Sequence, residues 1–489
     1  MNAVDSESTN YSTEDGWRLL QVLKATAAEE HPFSRFDVGN LQTLGVDDLA
    51  GTREQLIDWN KLHYQAGAMK LVIIGQESFE DLEHKAVELF GPVREGSGIP
   101  QDYETPAWAE PQLGRIVYCV PLKEARSISV CWPLPPQSQH PFAKPELYLS
   151  HVLGHEGEGS LHDILNSHGW VDQLSAGPSH VHSDGQLFGV NISLTPLGDA
   201  NREAIIALLF EYIDIVRKAG PQEATYKEIA ALQEIAFAHK EDSPALDDYA
   251  ANAAMSMHKY PPKEVLRGPY AVDEWKPDVV QDYLDTMQPE KSLVFITSSA
   301  FEEEAGVAGG GKSVATDKGW KFEEWYRAPF REEPLTEEML QSWRAAAEAT
   351  GDSAYLQLPL ENEFIPQDFS LRGKTDVEGP EASKKPQEVT PPALLSGPPM
   401  TRLWHKTDSA FKTPREYVLG HVHVPAYDEG PEVVAMMRLF CGVVIDDLNA
   451  YAFDASVAGL GYGLEFTDNL SMSVGGFSDK LPALLQVVM

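Results

Sequence analysis

An internal echo with an offset of 222 residues constrains the fold of this chain more than any single motif does. Residues 56–78 and residues 278–300 both run from an amphipathic helix through a polar turn into a short apolar run, and then exit through a serine. The offset is constant, so Val72 and Val294 occupy equivalent places. Such a repeat predicts two copies of one large unit, the first lacking its beginning. A chain of 489 residues is also too long for one core.

Predicted helices and strands alternate along the chain. The stretches WRLLQVLKAT (17–26) and FEDLEHKAVELF (79–90) have apolar residues at helical spacing, and MKLVIIG (69–75) is a short apolar run that predicts a buried strand. SISVCW (127–132) and FGVNISL (188–194) alternate as half-buried antiparallel strands do. This pattern predicts an α+β fold of repeated two-layer units, with helices over an antiparallel-rich sheet.

The stretch NREAIIALLFEYIDIVRKAGP is predicted to form one amphipathic helix. Asp199 lies just before it and is of a residue type that caps helix N-termini. Lys218, Gly220 and Pro221 supply the stop signals at its other end. We therefore expect a helix that is capped by Asp199 and ends before Gly220.

The composition limits which classes of partner the chain is expected to bind and in which compartment it is expected to lie. The chain carries 75 acidic and 38 basic residues, a formal net charge of −37. Nucleic acids and anionic membranes repel such a surface, so neither is expected as a partner. Three cysteines without close spacing argue against a disulfide framework and indicate a reducing compartment. Because no apolar run could span a membrane and the first ten residues are polar and acidic, a cytoplasmic location is predicted.

The stretch HVLGHEGEGSLHDIL brings three histidines, His151, His155 and His162, close together in sequence. Catalytic zinc needs three protein ligands and a nearby base, and Gly154 stands where the inverted zincin pattern H-x-x-E-H has its glutamate. The glycines also weaken a helix here, so His162 is expected to leave the face that His151 and His155 share. Packed or solvated histidines are therefore favoured over a zinc site. The glycines could leave backbone groups open to an added peptide strand.

Other candidate motifs are incomplete. GVAGGGKS, from Gly306 to Ser313, matches the phosphate-loop pattern, but no strand directly precedes it and little helical character follows. A surface turn is favoured, with nucleotide binding through Lys312 as the alternative. The pairs His180/His182 and His421/His423 lack a third ligand in sequence and are predicted to be solvated faces. Neither H-E-x-x-H nor H-x-x-E-H occurs at any of the 15 histidines.

A series of ordered motifs carries a resemblance along the whole chain. The motifs are NAVDSES, HPFSRFDVGNLQTL, GHEGEGSL, GPQEATYKEIAALQEIAFAHKE, NEFIP, LWHK and DDLNAYAFDASVAGLGY. Together they resemble the insulin-degrading-enzyme branch of the pitrilysin-like, inverzincin metallopeptidases. The resemblance implies zinc endopeptidases that enclose short peptides in a chamber built from four homologous α+β units. In that family, zinc is held by the two histidines of H-x-x-E-H and by a glutamate further downstream.

The resemblance also implies a division into domains. Residues 1–103 would be the remainder of a first, catalytic unit, and residues 104–366 a second unit with an exosite. Residues 367–400, with six prolines between Pro380 and Pro399, are predicted to be a linker, and 401–489 would begin a third unit. The chain is therefore expected to be truncated at both ends.

For the zinc site, the resemblance places the downstream ligand at Glu7, and the H-x-x-E-H segment that should precede it is not in the chain. Zn²⁺ is thus the implied cofactor, with an incomplete site and no catalytic residue in this sequence. HVLGH resembles the second unit's counterpart of the metal motif, which in the family grips the N-terminal end of the substrate. The implied exosite residues are His151, Val152, Leu153, Gly154, His155, Glu156, Gly157, Leu174, Ser175, Ala176, Gly177 and Pro178. Pro178 departs from the pattern because it cannot donate a backbone hydrogen bond.

Two functions of different classes therefore remain open beside nucleotide binding. The first is a zinc metalloendopeptidase of the insulin-degrading type that is inactive as this chain alone. The second is a non-catalytic peptide-binding or scaffold paralogue. Both imply peptide partners, and the family is compatible with a homo-oligomer.

Overall fold

The protein forms two compact units, Met1–Leu360 and Glu361–Met489, in a computed structural model. The structure describes residues 1–45, 47–98, 103, 105–241, 245–310, 312–371, 391–395, 397–408, 411, 413–425 and 429–489.

Helices make up most of the regular structure of the first unit. They are α1 (Asn2–Tyr11), α2 (Asp15–Thr26), α3 (Leu49–His63), α4 (Phe79–Phe90), α5 (Pro145–Leu153), α6 (Leu161–Ser167), α7 (Pro196–Ala200), α8 (Arg202–Ala219), α9 (Glu223–Ala238), α10 (Leu246–Lys259), α11 (Pro277–Thr286), α12 (Glu302–Ala305) and α13 (Glu337–Thr350). The helices predicted over 17–26 and 79–90 are confirmed as parts of α2 and α4.

One sheet of seven strands organises the first unit. Its strands are β1 (Arg115–Cys119), β2 (Arg126–Leu134), β3 (Val171–Ser179), β4 (Gln186–Leu194), β5 (Leu293–Ser298), β6 (Lys321–Phe322) and β7 (Pro329–Pro334). Their spatial order is β3-β4-β2-β5-β1-β7-β6. Only β1 and β5 pair in parallel among these described strands, and the other neighbours are antiparallel. The predicted α+β class with an antiparallel-rich sheet is confirmed.

The core of this unit lies between the sheet and its helices. Ile128, Val130 and Trp132 alternate along β2 and are fully buried, as the SISVCW pattern predicts. They belong to one apolar cluster that also contains Leu209 and Ile213 of α8. The buried residues alternate along β2 and form a stripe along α8. The two sets pack together because each element buries a single face.

The strand predicted over residues 69–75 is wrong. These residues form no strand, and Met69, Leu71, Ile73 and Ile74 remain 40–44 % exposed. Their repeat partner, β5, is buried between β1 and β2. A strand needs a neighbour to satisfy its backbone groups, and the described residues contain no strand paired with 69–75. The predicted helix at α3 has formed, but α3 and α4 contain no buried residue.

The prediction that Asp199 caps the long helix is also wrong. Asp199 lies within the short helix α7, and Asn201 precedes α8 without a capping side-chain bond. The Asp199 carboxylate instead accepts a 2.9 Å hydrogen bond from the hydroxyl of Ser298 and pairs with Arg202 at 3.1 Å. The predicted end is correct, because α8 stops at Ala219 and Gly220 adopts a φ of +71°.

The second unit contains two small sheets and two helices among its described residues. Its elements are β8 (Ala393–Leu395), β9 (Leu403–His405), β10 (Arg415–Val422), α14 (Pro431–Val457), β11 (Gly461–Phe466), β12 (Leu470–Phe477) and α15 (Leu481–Val488). Strands β8 and β9 form a hairpin, and the other sheet has the order β10-β12-β11. Much of the linker predicted over 367–400 lies outside the described residues, and its described end contains β8.

Candidate functional site

Helix α5 ends where the HVLGH motif turns away from it. Pro145 occupies the first turn of α5, where its missing N–H is no loss, and Leu149, Val152 and Leu153 bury its apolar face. The N–H of Gly154 closes the helix on the carbonyl of Ser150 at 3.0 Å. His151 therefore lies on the helix, whereas His155 lies on the turn that follows it.

The turn after α5 fixes the ring of His155. The backbone N–H of Gly157 donates to His155 Nδ1 at 3.0 Å, and His155 is only 4 % exposed. Because Nδ1 accepts this bond, a neutral ring carries its proton on Nε2 and offers no lone pair there for a metal. The two rings of His151 and His155 meet edge to face with centroids 5.6 Å apart. This contact is packing, as the motif without its glutamate predicts.

His162 belongs to another helix. Ser160 caps α6 by accepting a 3.1 Å hydrogen bond from the N–H of Asp163, and Asp163 in turn accepts from the N–H of Gly159 at 2.9 Å. With Ser160 as its cap, the new helix begins at Leu161, seven residues after Gly154, so His162 has left the face of His151 as predicted.

The second group of predicted site residues lies on β3, the outer strand of the seven-stranded sheet. Leu174 is buried in the main core, whereas Ser175 and Pro178 are exposed. Strand β3 pairs antiparallel with β4 along its length, with a register shift between Val171 and Gln173. Proline is tolerated in a strand at a sheet edge, where its missing N–H faces away from the ladder.

The structure brings the two groups together at Gly154. A methyl group at Gly154 would lie 2.8 Å from the carbonyl oxygen of Ser150 and 3.3 Å from the amide nitrogen of Ala176. A methyl group at Gly177 would lie 3.4 Å from the hydroxyl of Ser150. Both glycines therefore allow the end of α5 to approach the backbone of β3 closely. The predicted segments 151–157 and 174–178 therefore lie against each other at Gly154 and Ala176, although several of their side chains, among them those of Leu153 and His155, are buried.

Two ionisable groups, a half-buried lysine and a buried glutamate, lie at the start of α5. Burial raises the pKa of Glu146, and burial lowers the pKa of Lys144 to about 8. The ammonium group of Lys144 donates to the carbonyls of Gly268 and Pro269 at 2.9 and 2.6 Å. These contacts tie the N-terminal end of α5 to the segment that follows α10, so they position the helix that carries the site.

Glu7, the implied zinc ligand, lies exposed on α1. Its carboxylate accepts a 2.9 Å hydrogen bond from the hydroxyl of Tyr11, which raises the pKa of that tyrosine. No group of three or more histidine, cysteine, aspartate or glutamate side chains within the described residues is placed to hold a metal ion. The described residues therefore do not form a zinc site by themselves.

The phosphate-loop match does not have the required geometry. Lys312 lines a cavity of about 600 Å³ together with Arg18 and Arg327, but no helix begins at the Lys-Ser pair among the described residues. Gly311 lies outside the described residues. The guanidinium of Arg18 is already bound to the carbonyls of Ser12, Tyr326 and Arg327. The favoured interpretation of this segment as a turn is in agreement with the structure.

The His180/His182 pair is not a solvated face, and that prediction is wrong. Both rings pack edge to face on Phe33, with centroids 5.5 and 5.0 Å away, and burial lowers the pKa of both histidines. His31 completes this cluster, with Nε2 at 3.3 Å from Asp184. No signal in the sequence could have found His31, because about 150 residues separate it from the hairpin it contacts.

None of the described helices is both long and apolar enough to cross a membrane. The three cysteines, Cys119, Cys131 and Cys441, are free and buried. Burial raises the pKa of Cys119 to about 12 and that of Cys131 to about 11, so neither thiol is activated.

Comparison with known proteins defines the class to which this fold belongs. A family model described as the middle or third domain of peptidase M16 matches residues 237–489, and one described as the peptidase M16 inactive domain matches residues 51–232. The chain belongs to the M16 peptidase family.

Its relatives include members of the insulin-degrading-enzyme branch of that family, and a solved structure shares its fold. The chain is 34% identical to human insulin-degrading enzyme, 32% identical to the peroxisomal insulin-degrading enzyme-like 1 of Arabidopsis thaliana and 33% identical to a nardilysin-like protein of the same plant. Each match covers 100% of this chain and 45%, 48% and 46% of those proteins. The crystal structure of pitrilysin matches the whole chain with a TM-score of 0.79 at 24% identity, over 49% of its own length. The chain thus spans about half the length of the relatives it matches.

Proposed function

We propose that this chain belongs to a zinc metalloendopeptidase of the insulin-degrading type, that it is inactive by itself, and that it holds an extended peptide along the outer edge of β3. The observation that supports this best is the placement of residues 151–157 against an edge strand. On one side β3 pairs with β4, and on the other no strand pairs with it among the described residues. Every second residue of such a strand directs its N–H and C=O outward, so a peptide can add there as a further strand.

The residues that border this edge of β3 favour contacts with the backbone of a bound peptide over contacts with one particular peptide side chain. Ser175 is exposed and Ala176 is half-buried, so small side chains border the edge and leave room for an incoming strand. Gly154 has no side chain, and a methyl group at this position would come close to the amide nitrogen of Ala176. The site residues we propose are those from His151 to Gly157 and from Leu174 to Pro178.

Hydrolysis is the second part of the proposal. Zinc needs three protein ligands and an open position for water, and this chain would contribute Glu7 alone. One carboxylate cannot hold zinc, and no H-x-x-E-H occurs in the sequence. We therefore infer that the chain by itself binds zinc weakly and cleaves nothing, and we derive no step through the metal.

A non-catalytic peptide-binding or scaffold protein is the second candidate. This candidate is favoured by His155, because its Nδ1 accepts a hydrogen bond from Gly157 and its ring has a structural role instead of a catalytic one. Both candidates share peptide partners. A cytoplasmic location belongs to the proposal and is supported by three reduced, buried cysteines. A homo-oligomer is compatible with the family.

Peptide binding is tested by fluorescence anisotropy with a dye-labelled, unstructured peptide and the whole chain. Gly154→Ala should weaken binding at least fivefold, because the added methyl group forces the end of α5 away from Ala176. Gly16→Ala is the matched control, since a methyl group there meets nothing within 4 Å. If Gly154→Ala keeps both its circular dichroism spectrum and wild-type affinity, the β3 edge is not the binding site.

Catalysis is tested separately with a quenched fluorescent peptide and with calorimetric zinc titration. We expect no turnover and only weak zinc binding. Turnover that is abolished both by a chelator and by Glu7→Gln would show that the chain is an active enzyme with Glu7 at its metal. Peptide binding without turnover is the result that both candidates predict for the isolated chain, so turnover is the outcome that would overturn the inference of an inactive chain.

A further inference from the structure

Two histidines share the exposed face at the end of an edge strand in the second unit. His421 lies in β10 and His423 directly follows it, and both are exposed. Alternate residues of a strand point to the same face, so the two rings stand on the side that also presents Tyr417 and Leu419. Those two side chains are 70 % and 71 % exposed, which shows that no described residue covers this face.

One nitrogen of each ring forms a hydrogen bond with a residue in, or directly before, the neighbouring strand β12. His421 Nδ1 lies 3.0 Å from the hydroxyl oxygen of Ser471, its direct partner in the ladder of β10 and β12. His423 Nδ1 lies 3.2 Å from Oδ1 of Asn469, the residue just before β12. Two separate hydrogen bonds therefore orient two adjacent imidazoles, which an ordinary solvated face does not require.

These contacts determine which nitrogen is available. An amide oxygen can only accept, so His423 Nδ1 must carry the proton and Nε2 of the neutral ring has a free lone pair. The Ser471 hydroxyl oxygen can accept from His421 Nδ1 in the same way. A hydrogen bond from the far ring nitrogen is the usual second-shell arrangement of a metal-binding histidine, because it sets the tautomer and increases ligand basicity.

We propose that His421 and His423 together bind one divalent first-row transition-metal ion through their Nε2 atoms, with water at the remaining positions. Residues two apart in a strand have Cα atoms about 6.6 Å apart, and two imidazoles can converge from that distance on an ion about 2.0–2.1 Å from each nitrogen. Imidazole ligands suit Cu²⁺, Ni²⁺ and Zn²⁺, with Cu²⁺ bound most tightly.

The surroundings agree with an open, exchangeable site. No third protein ligand joins the pair within the part of the chain that the structure describes, so solvent or a metal-bound small molecule completes the coordination. The net charge of −37 raises the local concentration of cations around the chain. This site is separate from the peptide edge of β3, which lies in the other unit, and it does not depend on the proposed function.

The other histidine pair of the chain gives a matched comparison. His180 and His182 have the same spacing, but their rings pack on Phe33 and Nε2 of His182 is buried. A pair with this spacing whose rings are packed inside the protein should bind metal poorly. A comparison of metal binding by the two pairs therefore shows whether an exposed, oriented pair is required or whether the presence of two histidines is enough.

The test is titration of the full chain with Cu²⁺, and then with Zn²⁺, in the presence of a competing chelator. Electron paramagnetic resonance counts the bound nitrogens, and calorimetry gives the affinity. We expect one tight equivalent of Cu²⁺ with two nitrogen ligands, and at least a tenfold loss of affinity in both His421→Asn and His423→Asn. Asn469→Ala should weaken binding about tenfold, since loss of a second-shell partner has an effect of that size.

The controls are His180→Asn/His182→Asn and His84→Asn, which remove a packed pair and a single exposed histidine. Both should keep wild-type affinity. The proposal is overturned if His421→Asn and His423→Asn bind Cu²⁺ as the wild type does. It is also overturned if the wild type binds two Cu²⁺ ions weakly and independently and each variant loses one of them. Circular dichroism of every variant establishes that the sheet is intact.

Discussion

The backbone N–H of Gly157 donates a 3.0 Å hydrogen bond to Nδ1 of the buried His155. This bond stabilises the turn between α5 and α6, and it assigns the histidine of the HVLGH motif a structural role. A buried N–H without an acceptor costs about 1–3 kcal/mol.

The first prediction follows from that bond. His155→Leu should lower the free energy of unfolding by about 1–3 kcal/mol, because Gly157 loses its acceptor while apolar volume is kept. His155→Asn should lose much less, since its side-chain oxygen can accept from the N–H two residues on. Urea unfolding measures both variants. Equal losses in the two would show that ring packing, and not the hydrogen bond, stabilises the turn.

The second prediction concerns the missing donor on β3. Pro178→Ala should tighten peptide binding, because it adds an N–H on the outer side of the edge strand. One net hydrogen bond of about 0.5–1.5 kcal/mol corresponds to roughly a 2- to 12-fold gain in affinity. Anisotropy titration of the variant and of the wild type gives the ratio. Gly16→Ala, where the added methyl group meets nothing within 4 Å, is the control outside the site, and it should leave affinity unchanged.

The third prediction is a loss of stability in mild acid. Burial, together with nearby positive charge, lowers the pKa of His180 and His182 below the ordinary value of about 6.5. The unfolded chain therefore binds more protons than the folded one, and stability falls as the pH drops through 6.5 toward the lower folded values. Groups that face the cluster are Lys24, Asp37, Tyr103, His31 and Asp184.

Thermal unfolding between pH 8 and pH 5 tests this expectation. His182→Asn should lose less stability across that range than the wild type, because one of the two titrating groups is gone. His84→Asn removes a histidine whose side chain is 80 % exposed and should follow the wild-type slope. A slope for His182→Asn that matches the wild type would mean that other groups govern acid sensitivity.

The fourth prediction is a local difference in protection from protease. The division at residue 103 that the resemblance implies predicts that residues 1–103, expressed alone, are prone to proteolysis, while residues 104–366 resist it. The structure narrows the sensitive region, since Val22 on α2 is fully buried whereas α3 and α4 contain no buried residue. Limited digestion followed by mass spectrometry should find first cuts within residues 49–90. Early cuts within α2 or β2 would contradict this expectation.

Local pattern accounts for much of the fold around the site. The alternation in β2 and β4, the stripe of α8 and its glycine stop are short-range features, and each is present where the sequence predicts it. The end of α5 at Gly154 was equally predictable, because glycine disfavours helix.

Long-range pairing accounts for what could not be predicted. Residues 69–75 and β5 have the same apolar pattern, but only β5 has strands on both sides. Asp199 has capping chemistry, and Ser298, about a hundred residues away, binds it instead. The histidine cluster of His31 depends on a contact of the same kind. A partner brought in by the fold overrides a local preference in each of these cases.

Strand β5 separates β1 from β2, although those two are consecutive in the chain. During synthesis the ribosome releases β1 and β2 long before Leu293–Ser298 emerges. A direct β1–β2 hairpin would occupy the place that β5 must take, so the nascent chain has to leave that gap open or undo a premature pairing. Closure of such distant strands is slow, because chain entropy is lost before the contacts form. Nascent chains of this protein should therefore depend on chaperones until translation has passed β5.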